Sequence, residues 1–176
     1  MSNQTLDRIL KIRVDALYGK KKHFNAADRK RTYQNRVSVA VVLLNVVLGS
    51  ALFIYAKDAV PEEMKWAGGS LALCAAALTA LQSFFSWPKM VQGHCKVGNQ
   101  YLNIVKQCSN ILARYADGNI SDVKLGEQLE RLTPELASIN EAASGYTTKE
   151  IDYRAAQQGI NSSEEDYTDR ELGTGD

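Results

Sequence analysis

The sequence predicts an all-α fold: an integral membrane helical hairpin of two transmembrane helices, with a cytoplasmic helical bundle built from the N-terminal and C-terminal helices. Three observations predict it. Residues 37–56, VSVAVVLLNVVLGSALFIYA, run for twenty positions without a charge. Residues 66–87, WAGGSLALCAAALTALQSFFSW, run for twenty-two more. The remainder of the chain carries apolar residues at alternating steps of three and four, with no strand-rich segment. At about 1.5 Å per helical residue, either uncharged run can cross a hydrocarbon core of about 30 Å. A mean hydropathy of −0.27 and a net charge of +1 conceal this, because they average apolar runs with very polar flanks.

Residues 1–36 are predicted as a cytoplasmic amphipathic helix that leads almost directly into the first span. Leu6, Leu10, Val14, Leu17, Phe24 and Ala27 recur at helical spacing, and Gly19 is its weak point. Within it, KKKHFNAADRKR packs six Lys or Arg and one acid into twelve positions. Such a run suits a nucleic-acid patch, but cations that flank a span have a sufficient topological role, and only Phe24 and Tyr33 could stack on bases. Nucleic acid is therefore not an expected partner. The cations, among them Lys20, Lys22 and Arg36, are assigned to topology, and Phe24 and Ala27, which continue the apolar seam between the charged clusters, to coupling between bundle and membrane.

Residues 37–56 form the first span and 57–65 a short non-cytoplasmic loop in which Pro61 breaks the helix. Residues 66–87 form the second span, so the two are antiparallel. Seven Lys or Arg lie in residues 17–36 and two in the loop, which predicts that both termini face the cytoplasm. Inside the spans, Ser38, Asn45 and Gly49, with the neighbouring Ser50, form one small and polar stripe. Ala72, Ala76, Thr79 and Ser83 form another. An amide near the bilayer centre costs a few kcal/mol unless it finds a partner, so Asn45 is expected to face another helix or water. The stripes suit tight helix packing, and equally a pore lined by several hairpins.

Residues 88–149 are read as cytoplasmic helices. The first has a seam of Val91, Cys95, Gly98, Leu102, Val105, Cys108, Leu112 and Tyr115, stopped by Asp117-Gly118-Asn119. The next is capped near Ser121, carries Val123, Leu125, Leu129 and Leu132, and restarts at Pro134. Residues 150–176, with eight acids against two basic residues, read as an acidic, largely disordered tail.

No nucleophile elbow, phosphate loop, zinc-protease motif or dinucleotide fingerprint is present, and His23 and His94 are not at ligand spacing to each other. The three cysteines lack a CxxC pair and read as packing residues. The chain is thus expected to be no enzyme, with no cofactor and no metal.

The segments ALYGKKKHFNAADRKRTYQNR, LLNVVLGSALF, QYLNIVKQCSNILARY and DYRAAQ together resemble the SLATT domains, two-transmembrane effector modules of bacterial antiphage systems, over residues 6–157. The resemblance carries over Lys20, Lys22, His23, Phe24, Ala27 and Arg36 before the membrane, and Asn45, Gly49, Ser50 and Phe53 within it. It implies a homo-oligomeric effector that perturbs or perforates the inner membrane once an infection or nucleotide-signal sensor activates it. With no sensor domain found in the chain, the trigger is expected from a separate protein, from a small ligand bound by the bundle, or from self-assembly. The alternative is a membrane-anchored scaffold or sensor whose cytoplasmic helices bind a partner protein.

Overall fold

A computed structural model describes residues 2–55 and 61–162, which form five helices and, among the described residues, no strand. Helix α1 (Ser2–Tyr55) is followed by α2 (Glu62–Phe85), α3 (Trp87–Ala116), α4 (Asp122–Ser144) and α5 (Glu150–Asn161). Two of the apolar stretches are long enough to cross a membrane, and only 6% of either apolar window is buried within the chain. Apolar side chains left outside their own protein need an apolar solvent.

The chain divides into two units. The first is a bundle of α1 up to Ala27 with all that is described from Gln92 onward. Its core takes Ile9 and Ala16 from α1, then Val97, Tyr101, Ile104, Cys108 and Ile111 from α3. Ile120, Leu125, Leu132 and Ile139 complete it. The stripes are rotated by about one residue from those expected. On α1, Leu10 and Val14 are 39% and 46% exposed, while Ala16, Gly19, His23 and Ala26 face inward. Spacing of large apolar residues misses this, because here small residues make the contact and let α3 approach. A Cβ built on Gly19 would lie 2.8 Å from the Tyr101 ring, so glycine is required by the close approach, and the helix runs through it unbroken. On α3 the buried face is wide: Val97, Ile104 and Ile111 are buried, with Val105, Leu112 and Tyr115 half-buried beside them. Val123, expected inside, is 74% exposed.

The breaks follow the local chemistry. Gly118 has φ +70, a left-handed turn that ends α3. The Ser121 hydroxyl accepts from Lys124 N and caps α4. Pro134, expected to restart the helix, instead sits inside a continuous α4. Packing of Leu132, Leu136 and Ile139 against the core holds the helix through the lost backbone hydrogen bond.

Helix α5 corrects the reading of 150–176 as disordered over its first twelve residues. Asp152 Oδ2 accepts from Lys149 N at 2.7 Å, fixing the first turn. Asn25 Nδ2 donates to Asp152 O at 3.1 Å, Tyr18 stacks on Tyr153 with centroids 5.7 Å apart, and Ala156 is fully buried. Few large apolar residues are needed, because a short helix docks through one alanine face and a ring. The rest of the predicted tail, 163–176, lies outside the described residues.

The second unit, residues 28–91, pairs the latter part of α1 with α2. Helix α2 starts at Glu62, inside the predicted loop, because Pro61 serves as its N-cap rather than a mid-loop break. It ends at Ser86, whose left-handed φ of 42 and ψ of 36 turn the chain before the predicted span end. Ser86 O then accepts from Lys89 N at 2.9 Å, so one residue closes α2 and opens α3, with Pro88 in the tolerant first turn.

Candidate functional site: the hairpin seam and the histidine cluster

Ser38 and Gln82 connect the two helices of the hairpin, with Gln82 Nε2 donating to Ser38 Oγ at 2.9 Å. Gln82 was missing from the expected site, since it stands beside rather than on the small-residue stripe. Above this pair the helices diverge around open space. Asn45, Leu48, Gly49, Ala51, Lys65, Gly68, Gly69 and Ala72 line a cavity of about 600 Å³. A second space of about 550 Å³ is bounded by Asn45, Leu48, Ala72, Ala75, Ala76, Thr79 and Ala80. The structure thus brings Asn45, Gly49, Ala72, Ala76 and Thr79 to one seam. It does not press them together: a Cβ on Gly49 or Gly69 would meet nothing within 4 Å. Asn45 Nδ2 donates to Val41 O at 2.9 Å, Ser50 Oγ to Val46 O at 2.8 Å and Thr79 Oγ1 to Ala75 O at 2.9 Å. These polar groups therefore spend a donor on their own helix, while the Asn45 amide still borders both spaces. The side chains of Ser83 and Phe53 lie outside the described residues.

The other residues singled out from the sequence divide between surface and core. Arg36 is exposed. Ala27 is 1% exposed, and Phe24 lies against Gly98, where a Cβ would come within 3.1 Å of its ring. Lys20 and Lys22 are half-buried. His23, whose sequence spacing to His94 fits no metal-ligand pattern, meets it in space: the bundle puts His23 Nδ1 and His94 Nδ1 3.1 Å apart, with both rings buried. One imidazole carries the proton at that nitrogen and the other, which accepts it, is unprotonated there, so the two rings cannot both be charged in this arrangement. Burial, followed by the neighbouring His94 and Lys22, lowers the His23 pKa from 6.5 to about 4, against a smaller opposing pull from Asp152.

Two tyrosines enclose the pair. Tyr101 lies 5.8 Å from the His23 ring and Tyr146 lies 5.7 Å from the His94 ring. Tyr101 OH donates to Asn140 Oδ1 at 2.6 Å, which ties α3 to α4. Tyr146 packs directly over Gly93, leaving no room there for a Cβ. Cys108 is buried in the same core, and burial pushes its thiol up to about 11, so it is an unreactive packing group. None of this was visible in the local spacing, because the partners lie on different helices.

An all-helical chain with two apolar spans and a separate helical bundle defines a two-transmembrane membrane module. The chain belongs to the SMODS and SLOG-associating 2TM effector domain family 4, SLATT_4, which matches residues 6–171. SLATT domains are two-transmembrane effectors associated with antiphage systems. No curated protein and no solved structure matches the chain.

Proposed function

We propose that the protein is an oligomeric effector that perforates or perturbs the inner membrane when a separate sensor of infection or of a nucleotide signal activates it. The observation that supports this most is the open seam of the hairpin. Small and polar side chains from both spans converge on it without filling it, whereas a hairpin that served only as an anchor would gain from closing it with larger apolar residues. One hairpin cannot enclose a pore, so several copies must assemble in lipid with these faces inward. Both termini lie in the cytoplasm, and the effect on the membrane is physical rather than catalytic.

The test is Gly49→Leu. Open space at Gly49 lets the single chain accept the side chain, while an assembled lumen or close helix contact would be blocked. Expression of the activated wild-type chain should collapse the membrane potential and admit an impermeant dye, and Gly49→Leu should insert equally well and do neither. Intact membranes with inserted, triggered wild-type protein would refute the proposal.

The anchored scaffold has one observation in its favour, the outward Leu10, Val14 and Ile151 on the bundle, the last 61% exposed. Replacing 37–87 by a generic hairpin separates the readings, since a scaffold would keep its function and an effector would lose it.

A further inference from the structure

The bundle contains a polar cavity that the hairpin mechanism does not use. It has a volume of about 330 Å³ and is bounded by Lys22 and His23 of α1, Tyr101 of α3, Asn140 and Ser144 of α4 and the Tyr146-Thr147-Thr148 linker before α5. That volume is at the lower end of the range of about 300–1,000 Å³ for small-molecule sites. It opens to the surface, with Asn140, Ser144 and Thr147 exposed, and its size suits a small metabolite.

The chemistry of the walls selects the sign of the ligand. Lys22 is a cation, and no carboxylate belongs to the lining. Asn140 has its Oδ1 engaged by the Tyr101 hydroxyl, which leaves its amide N–H groups as the available function. Thr147 and Thr148 bring two hydroxyls from the linker. The α4 C-terminus would ordinarily oppose an anion, but Ala143 O accepts from Tyr146 N at 2.9 Å and Glu141 O from Ser144 Oγ at 2.6 Å. Asp152, the acid closest in influence to His23, is turned to the Lys149 amide at 2.7 Å. One ammonium and several neutral polar groups lining one space from three elements fit a tetrahedral oxyanion better than a flat carboxylate, which prefers the two-pronged arginine.

We propose that this cavity binds a small soluble phosphate monoester, gripped by Lys22, the Asn140 amide and the Thr147 and Thr148 hydroxyls. Its occupancy would fasten α1 to the α4–α5 linker, so that a small molecule can alter the packing of the bundle. That consequence rests on the effector reading, whereas binding itself does not, and the two are measured separately.

The test is calorimetric titration of the intact chain in phosphatidylcholine nanodiscs with inorganic phosphate and with adenosine 5′-monophosphate. Saturable binding of at least one probe is expected. Asn140→Asp keeps an acceptor for Tyr101 while replacing the amide donors by a negative charge, so it should fold normally and lose at least tenfold in affinity. Lys22→Met, which keeps the aliphatic stem, should do the same, and Asn110→Asp, on an exposed position outside the cavity, should bind like wild type. The absence of saturable binding by both probes, equal binding by Asn140→Asp, or binding seen only when phosphatidylglycerol is added to the discs would each overturn the proposal. Dye entry in cells expressing the activated wild-type chain tests the effector reading separately from binding.

Discussion

Acidification should loosen the bundle through His23. In the unfolded chain this imidazole titrates at 6.5, and in the bundle at about 4. Because the folded value is the lower, its contribution to stability is fully present above pH 6.5. It declines as pH falls, and is gone below about pH 4. The whole gap corresponds to about 3 kcal/mol, of which about 2 kcal/mol falls between pH 7 and 5. The cause is geometric: a proton added to His23 must sit in a buried site, 3.1 Å from a second imidazole nitrogen and beside Lys22. The assay is denaturant unfolding of the bundle in nanodiscs, followed by tyrosine fluorescence, at pH 7 and pH 5. The comparison is with His23→Gln, which can still bond to His94 but does not titrate. Wild type should lose about 2 kcal/mol more than the variant over this interval. An equal loss in both proteins, or a wild type as stable at pH 5 as at pH 7, would refute the account of His23 as a neutral, buried partner of His94.

Glycine positions provide a paired check. Gly19→Ala drives a methyl against the Tyr101 ring and should cost about 1–3 kcal/mol, whereas Gly126→Ala, in a helix interior with open space around it, should stabilise by about 0.5–1 kcal/mol in the same unfolding assay. Ser86→Val puts a β-branched residue in a left-handed conformation and should cost about 1–2 kcal/mol, while Ser86→Gly should be neutral or better by thermal melting. Asp152→Ala removes the acceptor for Lys149 N and should raise amide exchange throughout α5 while leaving α3 protected.

The class of the molecule was legible in the sequence because the signals that define it are local. Two uncharged runs of spanning length need no tertiary partner to be recognised, and neither do Gly118, Ser121 and Pro61, whose backbone preferences set helix ends wherever they occur. The small and polar composition of the spans was legible for the same reason, including Asn45 and Gly49. What the composition left open was whether the two stripes close on each other, and within a single chain they surround space instead.

Only the tertiary structure decided which face of each bundle helix is buried. A periodicity argument weighs Leu10 and Val14 above Ala16, Gly19 and His23. Yet contact energy depends on how closely two helices approach, and the small residues allow α3 to come in where leucines would hold it away. The same approach brings His23 and His94 together across 71 positions of sequence, and it recruits a short acidic segment as α5 through one alanine and one tyrosine. A residue pattern along one helix can report that a face is apolar. Which partner that face meets is a property of the other helix, so the site around His23 exists only once both are in place.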